Sequence, residues 1–362
     1  MAAASSSKPG AGRSRKFDDP SLDDIILIDQ LKSERWAEGL AIRPNGHALA
    51  TMLEHSELYL VDLNFSTAIA YEENGPAAPK LIQTFPDCNA TYNIRPLIGT
   101  EHEEYAVLTG HSDTSLGKFE KIRLWRLSFG PSGTDTAPTI SKIADLPDAL
   151  FGFGMAILTE DAIAVVDPVK HCVWRVRIST GEVNMLLNDP PTMAPSSNDE
   201  AFGVNRLQVA AGYLWYGNFS TGVLSRAPFE YTEDGRDVRV TGPAKPVVEG
   251  CVHCDGIAVR NDGAACYVVS FTEGCLWRVD VDSETGKGLP VVMFEDLISP
   301  TVIELMYYPF DDKPTLYIVC CGAWNPEDLD GERGGYLTLA NVDKSKMQIH
   351  VTVELTVSYE DV

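Results

Sequence analysis

Apolar residues alternate with polar ones at a period of two from about Ile25 onward, and helical periodicity is scarce. Runs such as Ile163-Ala164-Val165-Val166, Ala265-Cys266-Tyr267-Val268-Val269 and Thr315-Leu316-Tyr317-Ile318-Val319 are rich in β-branched or aromatic residues. Turn formers bound them, at Asn45-Gly46, Thr180-Gly181, Ala211-Gly212 and Asp262-Gly263. These runs are too short and too often cut by Gly to be buried helices, so they predict strands.

One strand type recurs. Leu58-Tyr59-Leu60-Val61, Leu124-Trp125-Arg126-Leu127, Val173-Trp174-Arg175-Val176, Val223-Leu224-Ser225-Arg226, Leu276-Trp277-Arg278-Val279 and Tyr336-Leu337-Thr338-Leu339 follow one another at roughly 50 to 65 residues, a propeller-blade period. A strand opening on a small or polar residue and a second apolar strand precede each copy, and a more variable strand follows. The pattern predicts an all-β fold, a six-bladed β-propeller of four-stranded antiparallel blades. Either Ile25 to Leu31 or Gln348 to Leu355 is expected to complete the last blade and remove its open edge. The tryptophans are expected to fill space between blades, with the following Arg reaching solvent.

Residues 1–20 are read as a disordered tail and residues 21–362 as one propeller domain. Ala, Ser and Gly dominate the first sixteen residues, which lack the apolar centre of a signal peptide. The expected compartment is therefore reducing and cytoplasmic, with the eight cysteines mostly free thiols. Cys266 and Cys275 are candidates to face each other across a hairpin. Cys251-Val252-His253-Cys254 has C-x-x-C spacing but no second pair beside it to complete a zinc site. A net charge of −23 disfavours a phosphate backbone, so nucleic acid is not an expected partner. No apolar run reaches the ~18 residues of a membrane span, so a membrane is not one either.

The innermost strands of a propeller line its axis, and their first residues share one mouth. Aligning the six units places Glu38, Asn93, Phe153, Asn205, Asp255 and Thr301 on one ring. Carboxylates and amides converging there are costly unless they bind something, and their oxygens suit Ca²⁺, Mg²⁺ or Mn²⁺. A water-filled channel is the alternative. Phe151, Phe153, Met155, Phe202, Tyr308 and Trp324 are candidate walls for an apolar or aromatic ligand. Arg206 and His253 are candidates to hold an acidic oxygen on it. The stretch from Thr100 to Lys118, with His102, His111 and Asp113, is either a lid or a long polar hairpin.

With these residues placed, the chain resembles the SMP-30/gluconolactonase/LRE-like six-bladed propellers over about Trp36 to Val342. The resemblance rests on Trp36-Ala37-Glu38-Gly39, and on Gly203-Val204-Asn205 with Gly212-Tyr213-Leu214-Trp215-Tyr216-Gly217-Asn218. It rests also on Asp255-Gly256-Ile257-Ala258-Val259 with Asn261-Asp262-Gly263. It implies a divalent metal, Ca or Mg, held in the central channel by Glu38, Asn205 and Asp255, with Asp255 as general base and no organic cofactor. Two departures stand out: Phe153-Gly154 and Asn205-Arg206 replace Asn-Gly pairs. They turn the reading from a sugar lactone towards an apolar, oxygen-bearing ring, and on whole-chain likeness the chain resembles the family's fungal secondary-metabolism branch, which includes hetero-Diels–Alderases joining a tropolone-derived quinone methide to a humulene-type terpene. That implies catalytic roles for Asp255, His253 and Arg206, and substrate contacts from Asn93, Phe153, Asn218, Thr301, Tyr308 and Trp324. The partners implied are small apolar or aromatic, oxygen-bearing molecules. A metal-dependent lactonase and a non-enzymatic scaffold, its contacts carried by outer strands and the loop from Asn188 to Glu200, are the other readings.

Overall fold

The computed structural model describes residues 25–30, 36–63, 79–113, 118–130, 138–197, 202–307, 314–321, 323–324, 342–343 and 348–353. The expected tail at 1–20, Tyr308 and the repeat copy at Tyr336–Leu339 lie outside them. The fold is an all-β propeller with four-stranded antiparallel blades. The described strands form five four-stranded sheets, one five-stranded sheet and a two-stranded ribbon. The one described helix is a single turn, Pro190–Met193.

In chain order, the innermost strands are Ala37–Ile42, Ala90–Pro96, Met155–Thr159, Val204–Ala210, Cys254–Val259 and Pro300–Met306. We number their sheets 1 to 6. Each inner strand touches the next, and Pro300–Met306 touches Ala37–Ile42. The aromatic–Arg copies form the third strands of sheets 1 to 5. In sheet 6 the third strand is Gln348–Val353, and the outer one is Ile25–Gln30, paired antiparallel to it. Both candidate closing segments are therefore used, one inside the other. Sheet 4 departs from four strands. Val223–Tyr231 is long enough to pair Val238–Val240 near one end and Lys245–Val248 near the other.

Apolar faces of neighbouring sheets meet in six clusters, one between each successive pair. Trp125 packs between sheets 1 and 2, Trp174 between 2 and 3, and Trp277 between 4 and 5. Tyr317 closes the contact of sheet 6 with sheet 1. Burying rings of this size, with the Leu, Val and Ile residues around them, supplies the driving force holding sheets together. Of the following arginines, Arg126 pairs with Glu104, and Arg226 stacks on Tyr213 and Trp215.

All eight cysteines are free thiols. Cys266 and Cys275 do not face each other: Cys266 stands opposite Val279 and Cys275 opposite Ser270. Residues 104–113 form the second strand of sheet 2, with His111 opposite Glu120, so this stretch belongs to a long hairpin. Among the described residues, no helix is long and apolar enough to cross a membrane.

Candidate functional site

Four of the six ring residues sit where their inner strands bulge. The register slips at Glu38, across Asn205-Arg206, across Asp255-Gly256 and at Thr301. A bulge leaves a residue out of the ladder and re-aims its side chain. In sheet 2 the slip falls at Tyr92, one residue before Asn93. In sheet 3, Phe153 precedes the strand and its amide bonds to the Val166 carbonyl.

The bulges bring Glu38, Asn205, Arg206, Asp255 and Thr301 into one buried knot. Arg206 is its centre. Its Nη2 donates to Glu38 Oε1, to the Glu38 carbonyl at 3.3 Å and to the Thr301 carbonyl at 3.1 Å. Its Nε donates to Asp255 Oδ1 at 3.3 Å, and its guanidinium lies 4.5 Å from the centre of the Phe153 ring. Asn205 donates to the same Asp255 oxygen at 2.9 Å. Trp36 Nε1 donates to Glu38 Oε2 at 2.5 Å, so both Glu38 oxygens are engaged. Asp255 Oδ2 accepts no hydrogen bond among the described residues.

Burial dominates the electrostatics. It pushes the Asp255 carboxyl up to about 6 against the opposing pull of Arg206 and Asn205. It raises Glu38 well above the usual carboxylate range, with Arg206 opposing and the Asp255 charge adding to the rise. Arg206 Nη1 is buried with no partner among the described residues, and so is Asn93 Oδ1. Natural structures rarely leave such atoms unpaired without a reason.

The metal implied by the resemblance does not fit this arrangement. Glu38, Asn205 and Asp255 do stand together, but the Arg206 guanidinium is among them, and their charge is spent on it. Among the described residues, no group of three His, Cys, Asp or Glu side chains is placed to hold a metal ion.

Aromatic walls gather on one side of the knot. Phe119 and Phe151 stack at 3.9 Å, with Phe153 and Phe202 at 5.1 and 5.8 Å from Phe151. Met155 is buried in the same cluster. Asp167 fixes this segment. Its oxygens accept from the amides of Leu150, Phe151, Val169 and Lys170 and from Trp174 Nε1.

The remaining expected site residues are placed as follows. Asn93 donates to the Phe153 carbonyl at 3.1 Å, and Thr301 Oγ1 to the Ala37 carbonyl at 3.2 Å. Asn218 is occupied locally: it donates to the Thr192 and Ala194 carbonyls and accepts from the Thr221 amide, pinning the 189–194 turn. His253 is half-buried two residues before Asp255, with φ of 51°. It shares a hydrogen bond with Thr272 at 2.6 Å and lies against Phe219. Trp324 lies in a two-residue strand paired with Val342–Asp343. Tyr308 lies outside the described residues.

A second arginine escapes a reading based on ring positions alone. Arg95, two residues along from Asn93, is buried. It bonds the Met155 carbonyl at 2.9 Å, the Leu40 carbonyl at 3.4 Å and Glu304. Arg95 reaches sheets 3, 1 and 6, and Arg206 reaches sheets 1, 5 and 6. The pair thus ties all six inner strands across the axis. Charged residues inside otherwise apolar inner strands were the available signal.

No protein family model matches the chain, and no curated protein does. Solved structures match its fold. The PQQ-bound aldose sugar dehydrogenase of Streptomyces coelicolor is 12% identical, over 91% of this chain and 98% of that one, with a TM-score of 0.58. A luciferin-regenerating enzyme is 13% identical over 92% and 95%, with a TM-score of 0.57. A calcium-binding regucalcin from Agrobacterium tumefaciens is 14% identical over 91% and 94%, with a TM-score of 0.56. At these identities the likeness is one of fold.

Proposed function

We propose that the chain is a six-bladed propeller enzyme that binds an apolar or aromatic, oxygen-bearing small molecule beside Phe153. We propose further that it removes water from that molecule to give a quinone methide. Hetero-Diels–Alder coupling to a humulene-type terpene follows, as in fungal secondary metabolism. The observation that carries this reading is Arg206. A guanidinium stands between the two axial carboxylates, stacked on an aromatic ring, with one nitrogen buried and without a partner among the described residues. The eight free thiols support a reducing, cytoplasmic setting.

The residues divide the work. Arg206 Nη1 holds a ring oxygen through a charge-assisted hydrogen bond. Protonated Asp255 gives its proton to the leaving hydroxyl, the benzylic C–O bond breaks, and water departs. The ring hydroxyl returns a proton to Asp255 as its oxygen becomes a carbonyl and the exocyclic double bond forms. The cycloaddition then makes one C–C and one C–O bond with the terpene alkene and moves no proton. Phe151, Phe153 and Phe202 supply its orientation and exclude water, which makes the coupling nearly unimolecular.

The competing reading, a metal-dependent lactonase, would need the Arg206 side chain to leave Glu38 and Asp255 so that these two and Asn205 could take an ion. Purified protein given an ortho-hydroxybenzylic alcohol and humulene tests the two. The cyclase reading expects adduct in the presence of a chelator and a loss of at least about 100-fold in Arg206→Ala, the scale of one preorganised charge contact. Full activity in Arg206→Ala, or chelator-sensitive opening of small lactones, counts against it.

A further inference from the structure

In sheets 1, 3 and 5 the residue after the ring position is Gly39, Gly154 or Gly256. The backbone requires it. A Cβ there would fall 2.9 Å from Asn93 Cα, Arg206 Cα or the Ile303 nitrogen, on the next inner strand. Sheets 2, 4 and 6 carry Ile94, Arg206 and Val302 at this place, and of these the Arg206 side chain reaches the carboxylates of Glu38 and Asp255.

Four oxygens already point at that side chain. Two are carboxylate oxygens, Glu38 Oε1 and Asp255 Oδ1, and two are the carbonyls of Glu38 and Thr301. The carboxamide of Asn205 bonds the same Asp255 oxygen at 2.9 Å. Hard oxygens of mixed carboxylate and carbonyl type, converging from three inner strands, are what a Ca²⁺ or Mn²⁺ ion takes. Here a guanidinium takes them. Without a cation, two buried carboxylates would face each other unpaired, and the interior disfavours holding both ionised.

We infer that Arg206 is a built-in cation filling a divalent-ion site, and that withdrawing its side chain turns the axis into one. The inference needs no substrate, so it stands or falls apart from the reaction proposed above. It predicts that the native protein has no axial affinity for divalent ions. It also predicts that Arg206→Gly, which places there the residue found in sheets 1, 3 and 5, gains such affinity.

Isothermal titration of the full chain with CaCl2 and with MnCl2, paired with thermal unfolding in each salt, tests it. Wild type is expected to show no saturable binding tighter than about 1 mM, the weak end of protein calcium sites. Arg206→Gly is expected to bind one ion at least about tenfold more tightly than that. Its midpoint should rise on adding the ion, and Glu38→Gln in the same background should abolish both effects. Folding of Arg206→Gly only in the presence of the ion is also support. Saturable binding to wild type that Glu38→Gln removes would overturn the inference. So would a folded Arg206→Gly without ion binding, or one that folds in neither condition, since the remaining oxygens then do not accept the ion.

Discussion

Asp255 keeps its proton up to about pH 6 because it is buried, and Arg206 and Asn205 pull against that only in part. The pH profile therefore separates the two reactions. An acid that protonates a leaving hydroxyl works in its protonated form, so kcat/KM for the dehydration is expected to fall as pH rises through about 6. A base that activates water works ionised, and a lactonase profile would rise through the same value. The same carboxyl leaves a mark on stability. Its folded value lies above the unfolded one, about 3.9. Its contribution is thus fully present below pH 4 and lost as pH climbs through about 6. Urea unfolding at pH 4.5 and pH 8 should show wild type losing stability relative to Asp255→Asn across that interval, and equal slopes would refute the assignment. Glu38, Asn205 and Asp255 were legible because the repeat acts as a ruler along the chain. The destination of the Arg206 side chain was not, since spacing reports where a backbone position falls and not which way a five-donor group turns. Arg95 and Glu304 went unread for a related reason: they lie beyond the first residues of their strands, where the ruler was not applied.

Elements place these side chains through their irregularities. A regular inner strand would leave Glu38 and Thr301 in the ladder, and the bulge takes each of them out of it. The aromatic wall depends on a loop instead, and that loop depends on Asp167. Its carboxylate is fully buried and gathers four amides and the Trp174 indole. Asp167→Ala would strand those donors in the interior, so it is expected to cost about 3–5 kcal/mol in chemical unfolding. Asp167→Asn, which keeps acceptor capacity on one side, should cost less. If both variants unfold like wild type, the loop is held by its apolar packing alone. Third strands were the most legible elements, because a large aromatic must fill the space between sheets. The fifth strand of sheet 4 was not: it exists because Val223–Tyr231 runs long enough to pair twice, and length is the weakest signal in a strand pattern.

At the scale of the molecule, both segments near the two ends of the described chain share one sheet. Ile25–Gln30 caps Gln348–Val353, which in turn pairs Thr315–Cys320. The sequence offered two candidates for one place, and hydrogen-bonding demand explains why both are used. A third strand left at the edge still presents unpaired amides and carbonyls, and an outer strand covers them. The repeat copy expected near Tyr336 was read as the third strand because its residues match the others, but register assigns that place to Gln348–Val353. Closure of this kind fixes the six inner strands against each other, and Arg95 and Arg206 fasten the same ring from inside. The two fastenings are expected to be coupled. Removing residues 1–30 should lower the thermal midpoint by several degrees and bare an edge, with the net charge of −23 limiting but not abolishing self-association. Adding Arg95→Met to that truncation should cost more than the sum of the separate losses, because each lesion lets the ring open where the other held it. Differential scanning calorimetry on the two single changes and the double one measures this. Strict additivity would mean that the axial arginines and the terminal strands hold separate parts of the molecule, and that the ring does not act as one mechanical unit.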